Sequence, residues 1–174
     1  MYLDQHETSR LRFRALTEDD IEIWSHFLEN NQLTRFFPKT GLTTVEHSVF
    51  WVYKQLNRYR NDRLGLHAII SKEDGSFIGQ AGLLSQIVDR KDEVEVICYL
   101  FPEHQGKGYA SEIFEYLKDY AQKEQLHDSL VCLVQIENFP FQKLAERAGF
   151  VKERQTTYFD LDVFIFRYQL NSSD

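Results

Sequence analysis

Hydrophobic residues in the first third of the chain repeat with two different periods. Over residues 11–16 apolar and polar positions alternate, which predicts a strand with one exposed face. A helix capped by Thr17, with Asp20 at its acidic third position, is predicted from apolar residues at helical spacing: Ile21, Trp24, Phe27 and Leu28. A second helix over residues 44–59, capped by Thr43 or Thr44, is predicted from a similar stripe: Val45, Val49, Val52 and Leu56.

The middle of the chain predicts a hairpin, a further strand and a long helix. Strands at residues 64–70 and 77–87 flank a turn whose Asp74-Gly75 pair suits an antiparallel hairpin. A polar loop over residues 89–92 and a strand over residues 94–101 follow. The next segment is an amphipathic helix over residues 108–124 with five inward-facing residues: Ala110, Ile113, Phe114, Leu117 and Ala121.

The last third predicts three strands and one short helix. Residues 130–134 are apolar without alternation, as in a central strand that is buried on both faces. Pro140 suits the first turn, and Gly149 the end, of a helix over residues 138–148. Strands over residues 151–161 and 163–170 then complete a mixed α/β sheet of about seven strands with four helices. We expect a single domain over residues 1–174, with its core at about 9–170.

Composition narrows the class of protein. With 43% hydrophobic and 27% charged residues, and no apolar run near the roughly twenty residues of a membrane helix, the chain resembles soluble globular proteins that do not act in a membrane. It shows no secretory signal, so we expect a cytoplasmic location. The net charge of −7 argues against nucleic-acid binding and is compatible with a cationic substrate. Cys98 and Cys132 are expected to be buried free thiols, and the scattered histidines predict no metal site.

A glycine-rich turn stands between the predicted strand at 94–101 and the helix that follows it. Its residues are Gln105, Gly106, Lys107, Gly108, Tyr109 and Ala110. Glycines allow close approach of a ligand, and the start of a helix presents unpaired N–H groups, so such a turn can bind phosphate in a mononucleotide, a dinucleotide or coenzyme A. The spacing fits neither a Walker A loop nor the dinucleotide fingerprint, because Ser111 stands where a third glycine is needed and no Lys-Ser or Lys-Thr pair follows.

Four segments, in order along the chain, resemble the GCN5-related N-acetyltransferase (GNAT) superfamily. Gln105, Gly108 and Ala110 match its pyrophosphate loop, Q/R-x-x-G-x-G/A. Residues 95–104 resemble the strand before that loop, residues 138–150 (NFPFQKLAERAGF) the later helix, and residues 10–16 the opening strand. The resemblance covers residues 9–170 and is closest to the branch of the ribosomal-protein-alanine N-acetyltransferases.

The resemblance implies an enzyme that transfers the acetyl group of acetyl-CoA to a primary amine, on a protein N-terminus or a small molecule, in a ternary complex. It implies that backbone groups of Tyr99, Leu100 and Phe101 pair with the pantetheine arm. It implies that the N–H groups of Gln105, Gly106, Lys107, Gly108, Tyr109 and Ala110 bind the pyrophosphate, with Asn138 beside the cofactor. Similar enzymes are commonly homodimers, and the aromatic C-terminal strands offer one interface.

Glu95 is the candidate catalytic residue. Alternation places it on one face of its strand with Ile97 and Tyr99, so its carboxylate is surrounded by apolar side chains. An attacking amine must be neutral, and for a lysine-like amine only about one part in a thousand is neutral near pH 7.4. Glu95 occupies the position of the family's frequent strand glutamate, and we expect it to act as general base, directly or through water. The alternative is a structural carboxylate at a sheet edge or beside an arginine.

The chain departs from the family pattern at two positions of the later helix and at Cys98, where similar enzymes usually have an aromatic residue. Phe141 replaces a serine that often contacts the coenzyme, and Ala145 replaces a tyrosine that often protonates the leaving thiolate. Tyr99, Tyr109 and Tyr158 are the replacement candidates for that acid. These departures keep open the alternative of a noncatalytic acyl-CoA-binding sensor. The glycine-rich turn alone keeps open a second alternative, a structural domain that binds nucleotides. The segment Arg35-Phe36-Phe37-Pro38-Lys39 is either a lid over the acceptor or aromatic packing beneath a loop.

Overall fold

A computed structural model describes residues 2–170 of the chain. One seven-stranded sheet has the order β1-β2-β3-β4-β5-β7-β6, and β4 and β5 are its parallel neighbours. The elements in chain order are β1 (Leu11–Arg14), α1 (Asp20–Glu29), α2 (Asn31–Thr34), α3 (Thr44–Arg60), β2 (Leu66–Ser71), β3 (Phe77–Val88), β4 (Lys91–Leu100), α4 (Tyr109–Lys123), β5 (Ser129–Gln135), α5 (Phe139–Arg147), β6 (Val151–Tyr158) and β7 (Leu161–Gln169). The predicted mixed sheet is confirmed, and the short helix α2 and a 3₁₀ turn at Pro102–His104 are additional to the four predicted helices.

Helices cover both faces of the sheet. On one face, α4 and α5 pack on the main core, to which β4 contributes Val94, Val96, Cys98 and Leu100. On the other face, Tyr99 and Phe101 join an aromatic cluster with residues of α1 and α3. The alternation of β4 therefore divides its side chains between two separate cores, as the sequence pattern predicts. None of the helices within residues 2–170 combines the length and apolarity needed to cross a bilayer.

The turn between β3 and β4 is shorter than predicted. Val88 pairs with Lys91, so only Asp89 and Arg90 form the loop, and their φ values are 49° and 67°. Two left-handed residues are the geometry of a tight hairpin whose twist matches its strands. The predicted polar loop at 89–92 is therefore wrong for Lys91 and Asp92, which belong to β4.

The start of α1 differs from the prediction. Asp19 is its N-cap residue and makes no side-chain capping bond, so the predicted cap at Thr17 is wrong. The backbone N–H of Thr17 instead donates to the Asp20 carboxylate at 2.8 Å, and that carboxylate also forms an ion pair with Arg14. The side chain of Asp20 thus anchors the preceding segment to the first turn of the helix.

The buried face of α3 matches the predicted one only in part. Thr43 caps the helix as predicted, in a capping box with Glu46. The stripe is wrong at Val45 and Val49, whose residues are 60% and 37% exposed. The face turned inward keeps Val52 from the predicted stripe and adds two polar residues, Ser48 and Gln55.

Polar atoms on that inward face are satisfied by distant backbone groups. Ser48 Oγ donates to the Ile21 carbonyl at 2.6 Å, and Gln55 Oε1 accepts the Leu66 N–H at 2.9 Å. A buried polar side chain costs little once it is hydrogen-bonded. These two bonds explain why the helix turns a partly polar face inward.

Strands β4 and β5 separate toward their carboxyl ends. Their parallel register has one residue pair, Glu95 with Val131, and the residues that follow in the two strands are not paired with each other. The remaining strand neighbours run antiparallel over longer registers. The sheet therefore opens between β4 and β5, beginning one residue after Glu95.

Candidate active site

The opening between β4 and β5 is the floor of a cleft of about 630 Å³. Residues 95–100 of β4 and residues 133–135 at the end of β5 line its sides. The glycine-rich turn and the segment around Phe36 also line it. The cleft thus joins a helix start, two unpaired strand edges and an apolar wall.

The glycine-rich turn has the backbone geometry of an anion-binding site. Gly106 and Gly108 have φ values of 72° and 80°, which favour glycine. The Glu112 N–H bonds the Gly108 carbonyl at 3.1 Å, so the N–H groups of the first three residues of α4 have no acceptor within the helix. Positive dipole and unpaired donors at a helix start fit a pyrophosphate.

Most of the predicted cofactor-binding residues come together along this cleft. The structure lines it with Tyr99, Leu100, Gln105, Gly106, Gly108, Tyr109, Ala110 and Asn138. Phe101 and Lys107 are not part of its wall. The Phe101 ring packs against Phe27 and Phe77, and its N–H donates to the Ile78 carbonyl at 3.0 Å.

The parity of β4 identifies which backbone groups face the opening. Along a strand, the backbone N–H and C=O groups of successive residues point to opposite neighbouring strands. Phe101 bonds to β3, so the backbone groups of Tyr99 also point toward β3, and those of Cys98 and Leu100 point toward β5. The side-chain amide of Gln105 donates to the Leu100 carbonyl at 3.0 Å. The N–H of Leu100 and both backbone groups of Cys98 thus lie along the edge where β5 has diverged.

Glu95 lies at the point where the strands separate. Its residue is 8% exposed, and its Oε2 accepts a hydrogen bond from Gln86 Nε2 at 2.8 Å. Burial raises the pKa of the Glu95 carboxyl to about 7, and hydrogen bonds from Gln86 and from the Leu133 backbone limit that rise. A carboxyl with this pKa changes charge near neutral pH and can therefore accept a proton there.

The alternative of an arginine-paired structural carboxylate applies to the neighbouring Glu93 and not to Glu95. Arg167 makes a two-pronged ion pair with Glu93, at 2.8 and 2.7 Å, and lowers the pKa of that carboxyl. Among the described residues, no arginine or lysine forms a salt bridge with Glu95. The two carboxyls of one strand face thus have opposite pKa shifts.

Asn138 acts as the N-cap of α5. Its Oδ1 accepts the Phe141 N–H at 3.3 Å, and the residue also lines the cleft. Phe141 lines the cleft too and packs edge-on against Phe114. Ala145 is fully buried in the core, so α5 offers no hydroxyl at that position.

The two cysteines are buried, as predicted. Burial raises the pKa of the Cys98 thiol to about 12 and raises that of Cys132 well above its usual value. Neither thiol is ionised near neutral pH, which argues against an acetyl-carrying cysteine nucleophile. Among residues 2–170, no cluster of three or more histidine, cysteine, aspartate or glutamate side chains could hold a metal ion.

The segment after α2 shows the predicted aromatic packing and also lines the cleft. The ring centre of Phe37 lies 5.7 Å from that of Trp51, on which it stacks, and 4.9 Å from that of Tyr99. These contacts are aromatic packing. Arg35 and Phe36 line the cleft together, with the guanidinium over the ring at 4.4 Å. One side of the segment thus packs into the aromatic core, and the other side lines the cleft.

Two contacts of the site were missed by sequence reasoning. Gln86 on β3 donates to Glu95, and Arg10 contacts the glycine-rich turn through its Nη1, which donates to the Lys107 carbonyl at 2.9 Å. Arg10 occupies the leading position of a family motif, which is a signal of importance but not of this contact. For Gln86 the chain offers no local signal, because its partner is on another strand.

Residues 10–151 of this chain match the protein-family model of the acetyltransferase (GNAT) domain. The chain belongs to the GNAT acetyltransferase family. It is therefore an acetyl-CoA-dependent N-acetyltransferase, as the resemblance implied. The cleft fits that cosubstrate, since it offers donors for a pyrophosphate and an open strand edge along its floor.

Relatives of this GNAT chain act on different amines. A spermidine N(1)-acetyltransferase from Vibrio cholerae is 27% identical over 146 residues, which cover 83% of this chain and 81% of that protein. The solved spermidine N-acetyltransferase of Vibrio cholerae, in complex with CoA and spermine, superimposes with a TM-score of 0.74 at 20% identity over 94% and 97% of the two chains. A ribosomal L7/L12 alpha-N-protein acetyltransferase in complex with coenzyme A superimposes with a TM-score of 0.76 at 15% identity over 97% of each chain. At 15% and 20% identity, the two structural likenesses show a shared fold.

Proposed function

We propose that the protein transfers an acetyl group from acetyl-CoA to the nitrogen of a primary amine, and that Glu95 takes the proton from that nitrogen. The observation that carries the proposal is a buried carboxyl with a pKa of about 7 at the floor of the cleft. It lines the same cleft as the anion-binding turn and the aromatic residue Phe36. A base is thus located where a cosubstrate and an acceptor would meet.

The cosubstrate is held by backbone groups. N–H groups at the start of α4 bind the pyrophosphate, and the free edge of β4 at Cys98 and Leu100 pairs with the pantetheine arm. Asn138 borders the same channel. Acetyl-CoA supplies a thioester carbonyl, and the N–H groups of Cys98 and Leu100 are donors along this edge that can stabilise the negative charge which develops on its oxygen.

The proton balance follows from the ordinary pKa values of the reacting groups. The amine nitrogen forms a bond to the acetyl carbon, loses a proton to Glu95, and the carbon–sulfur bond breaks. A thiol with a pKa near 8.5 leaves well as thiolate and takes its proton from water. Such a leaving group needs no protein acid, which is consistent with Ala145 in α5.

The charges of the cleft favour an apolar amine over a polyamine as acceptor. Among the described residues, Glu95 is the one carboxylate of its wall, which also carries Arg35 and Arg147. A polyamine has several positive charges, and the cleft offers a single, weakly ionised counter-charge. The rings of Phe27, Phe36 and Tyr99 instead suit an amine on an apolar body, such as a peptide N-terminus.

Cosubstrate binding and turnover are tested separately. Thermal shift with acetyl-CoA, coenzyme A and ATP should show stabilisation by both coenzymes; stabilisation by ATP alone would end the proposal. Thiol release is then followed with peptide N-termini, aralkylamines and spermidine. Binding without thiol release across the panel would favour the noncatalytic sensor, and spermidine as the best acceptor would overturn the preference for an apolar amine.

The role of Glu95 is tested by Glu95→Gln. This variant should bind acetyl-CoA normally and turn over at least about tenfold more slowly, because a missing general base typically costs 10²–10⁴-fold and water can replace part of it. Wild-type turnover in this variant would remove Glu95 from the mechanism. Glu103→Gln, at an exposed residue outside the cleft wall, is the matched control.

A further inference from the structure

Glu95 ends a chain of hydrogen bonds that crosses three strands of the sheet. Gln86 Nε2 on β3 donates to Glu95 Oε2 on β4 at 2.8 Å, and Tyr158 Oη on β6 donates to Gln86 Oε1 at 3.0 Å. The ring of Tyr158 packs on an apolar cluster that contains Val131 of β5. The two side chains thus link strands on either side of β5 and β7.

We propose that Gln86 is a positioning residue for the Glu95 carboxylate and that Tyr158 holds Gln86 in the orientation that does this. The inference rests on the proposed role of Glu95 as base. An amide side chain can present either its NH₂ or its oxygen to a neighbour. The Tyr158 hydroxyl occupies the amide oxygen, so the NH₂ group is directed at Glu95.

This arrangement has two consequences for a base. A hydrogen bond donated to a carboxylate stabilises its ionised form, so Gln86 keeps the Glu95 pKa lower than burial alone would set it. The same bond occupies Oε2, which leaves Oε1 as the oxygen free of this contact. Gln86 therefore controls both the charge and the direction of the carboxyl without touching a substrate.

The groups around this chain leave Glu95 as the one that titrates near neutral pH. Three other ionisable side chains feel the charge of Glu95, and burial raises the pKa of each: Tyr99 on β4, Cys132 on β5 and Tyr158 on β6. The pKa of Tyr158 is about 12, and Arg58 on α3 lowers it slightly, so its hydroxyl stays protonated. The charged groups Glu93 and Asp89 are closed in ion pairs with Arg167 and Arg154.

The test is a double-mutant cycle on the pH profile. Turnover is measured between pH 5.5 and about 9, a range set by the ordinary pKa values of carboxyls and amines, for wild type, Gln86→Met, Tyr158→Phe and the double variant. Methionine keeps the approximate shape of glutamine and removes its donor. The ionisation of the acceptor amine is common to all four proteins and cancels in their comparison.

Loss of the Gln86 donor should move the acid limb of the kcat profile upward by about one pH unit, since a hydrogen bond to a charged group is worth roughly one pKa unit or more. The KM for acetyl-CoA should not change. Tyr158→Phe should move the limb in the same direction by less, and should add nothing once Gln86 is methionine. Gln155→Met, an exposed change on β6, is the control for a general effect on the sheet.

Each outcome decides a different claim. An unmoved acid limb in Gln86→Met, in a protein that still melts cooperatively, would overturn the positioning role. Additive shifts in the double variant would overturn the dependence of Tyr158 on Gln86. Wild-type turnover in Glu95→Gln would instead overturn the proposed base. If Gln86→Met does not fold, Tyr158→Phe removes a single oxygen and tests the proposal as a whole, since its limb must move if Tyr158 orients a Gln86 that positions Glu95.

Discussion

Arg10 and Glu112 join the start of the first strand to the first turn of the helix behind the glycine-rich turn. Arg10 Nε donates to Glu112 Oε2 at 2.6 Å, and the Arg10 backbone N–H donates to Oε1 at 2.9 Å. The guanidinium also lies 4.6 Å from the centre of the Tyr109 ring and donates to the Lys107 carbonyl. One side chain thus braces the turn from its outer side.

Arg10→Gln should weaken acetyl-CoA binding and leave the chemical step unchanged. Without the brace, the N–H groups of the turn lose their fixed direction, and KM for acetyl-CoA should rise roughly threefold to tenfold, the effect of losing about one charge-assisted hydrogen bond. An acetyl-pantetheine thioester lacks the pyrophosphate, so its kcat/KM should not change. Steady-state kinetics with both thioesters measure the difference.

Arg12→Gln is the matched control for Arg10. Arg12 lies two residues further along the chain, its side chain is 50% exposed against 46% for Arg10, and it pairs with Glu7 away from the turn. Its loss should not affect either thioester. Equal losses for acetyl-CoA and acetyl-pantetheine in Arg10→Gln would show that Arg10 supports the whole fold and not the turn.

Local patterns predicted the frame of this protein because its strands and long helices have strong periodicity. The glycine-rich turn and α4 follow the prediction closely, since the conformations of Gly106 and Gly108 are local properties. The buried face of α3 followed its prediction only in part, because the buried Ser48 and Gln55 side chains are satisfied by hydrogen bonds to backbone groups of other segments. Hydrophobicity alone cannot register such partners.

The same distinction holds within the site. Alternation along β4 predicted that Glu95 lies on the face opposite Cys98, and the separate cores of the structure confirm it. The contact of Glu95 with Gln86 joins two strands and depends on the register of the hairpin, which the predicted polar loop misplaced. The edge to which each backbone N–H of β4 points likewise could be assigned only from the observed hydrogen bond between the Phe101 N–H and the Ile78 carbonyl.

Glu95→Gln should stabilise the free protein at alkaline pH. Burial raises the folded-state pKa of Glu95 from 4.5 to about 7, so the folded state holds the proton more tightly than the unfolded state. Stability from this group is therefore present below about pH 4.5 and is lost as pH rises through 7. The unfolding free energy of the variant minus that of wild type should therefore be larger at pH 8 than at pH 4.5, by up to about 3 kcal/mol. Urea unfolding at both pH values measures the gain.

The control for this stability change is Glu115→Gln, an exposed carboxyl paired with Lys118 on α4. Its difference from wild type should vary little between the two pH values, because surface ion pairs contribute little. If Glu95→Gln shows the same small variation, the Glu95 carboxyl is not desolvated in the free protein, and its proposed pKa near neutrality loses its physical basis.

His67 should act on stability in the opposite direction. It is fully buried on β2, its Nδ1 is 3.2 Å from the Gly65 carbonyl, and its Nε2 has no partner among the described residues. Burial lowers its pKa from 6.5 to about 4. The unfolded state therefore binds the proton more tightly, and stability falls by up to about 3 kcal/mol as pH drops from 6.5 to 4.

The two buried groups have opposite effects on the unfolding free energy between about pH 4.5 and 6.5. On acidification, protonation of Glu95 stabilises the protein and protonation of His67 destabilises it. Wild type should therefore show a weak pH dependence of unfolding in this range. His67→Phe keeps a ring and removes the charge, so its unfolding free energy should rise on acidification, whereas that of Glu95→Gln should fall. Urea unfolding of the three proteins at pH 4.5 and 6.5 measures these slopes. Parallel slopes in all three would show that neither group titrates differently in the folded and unfolded states.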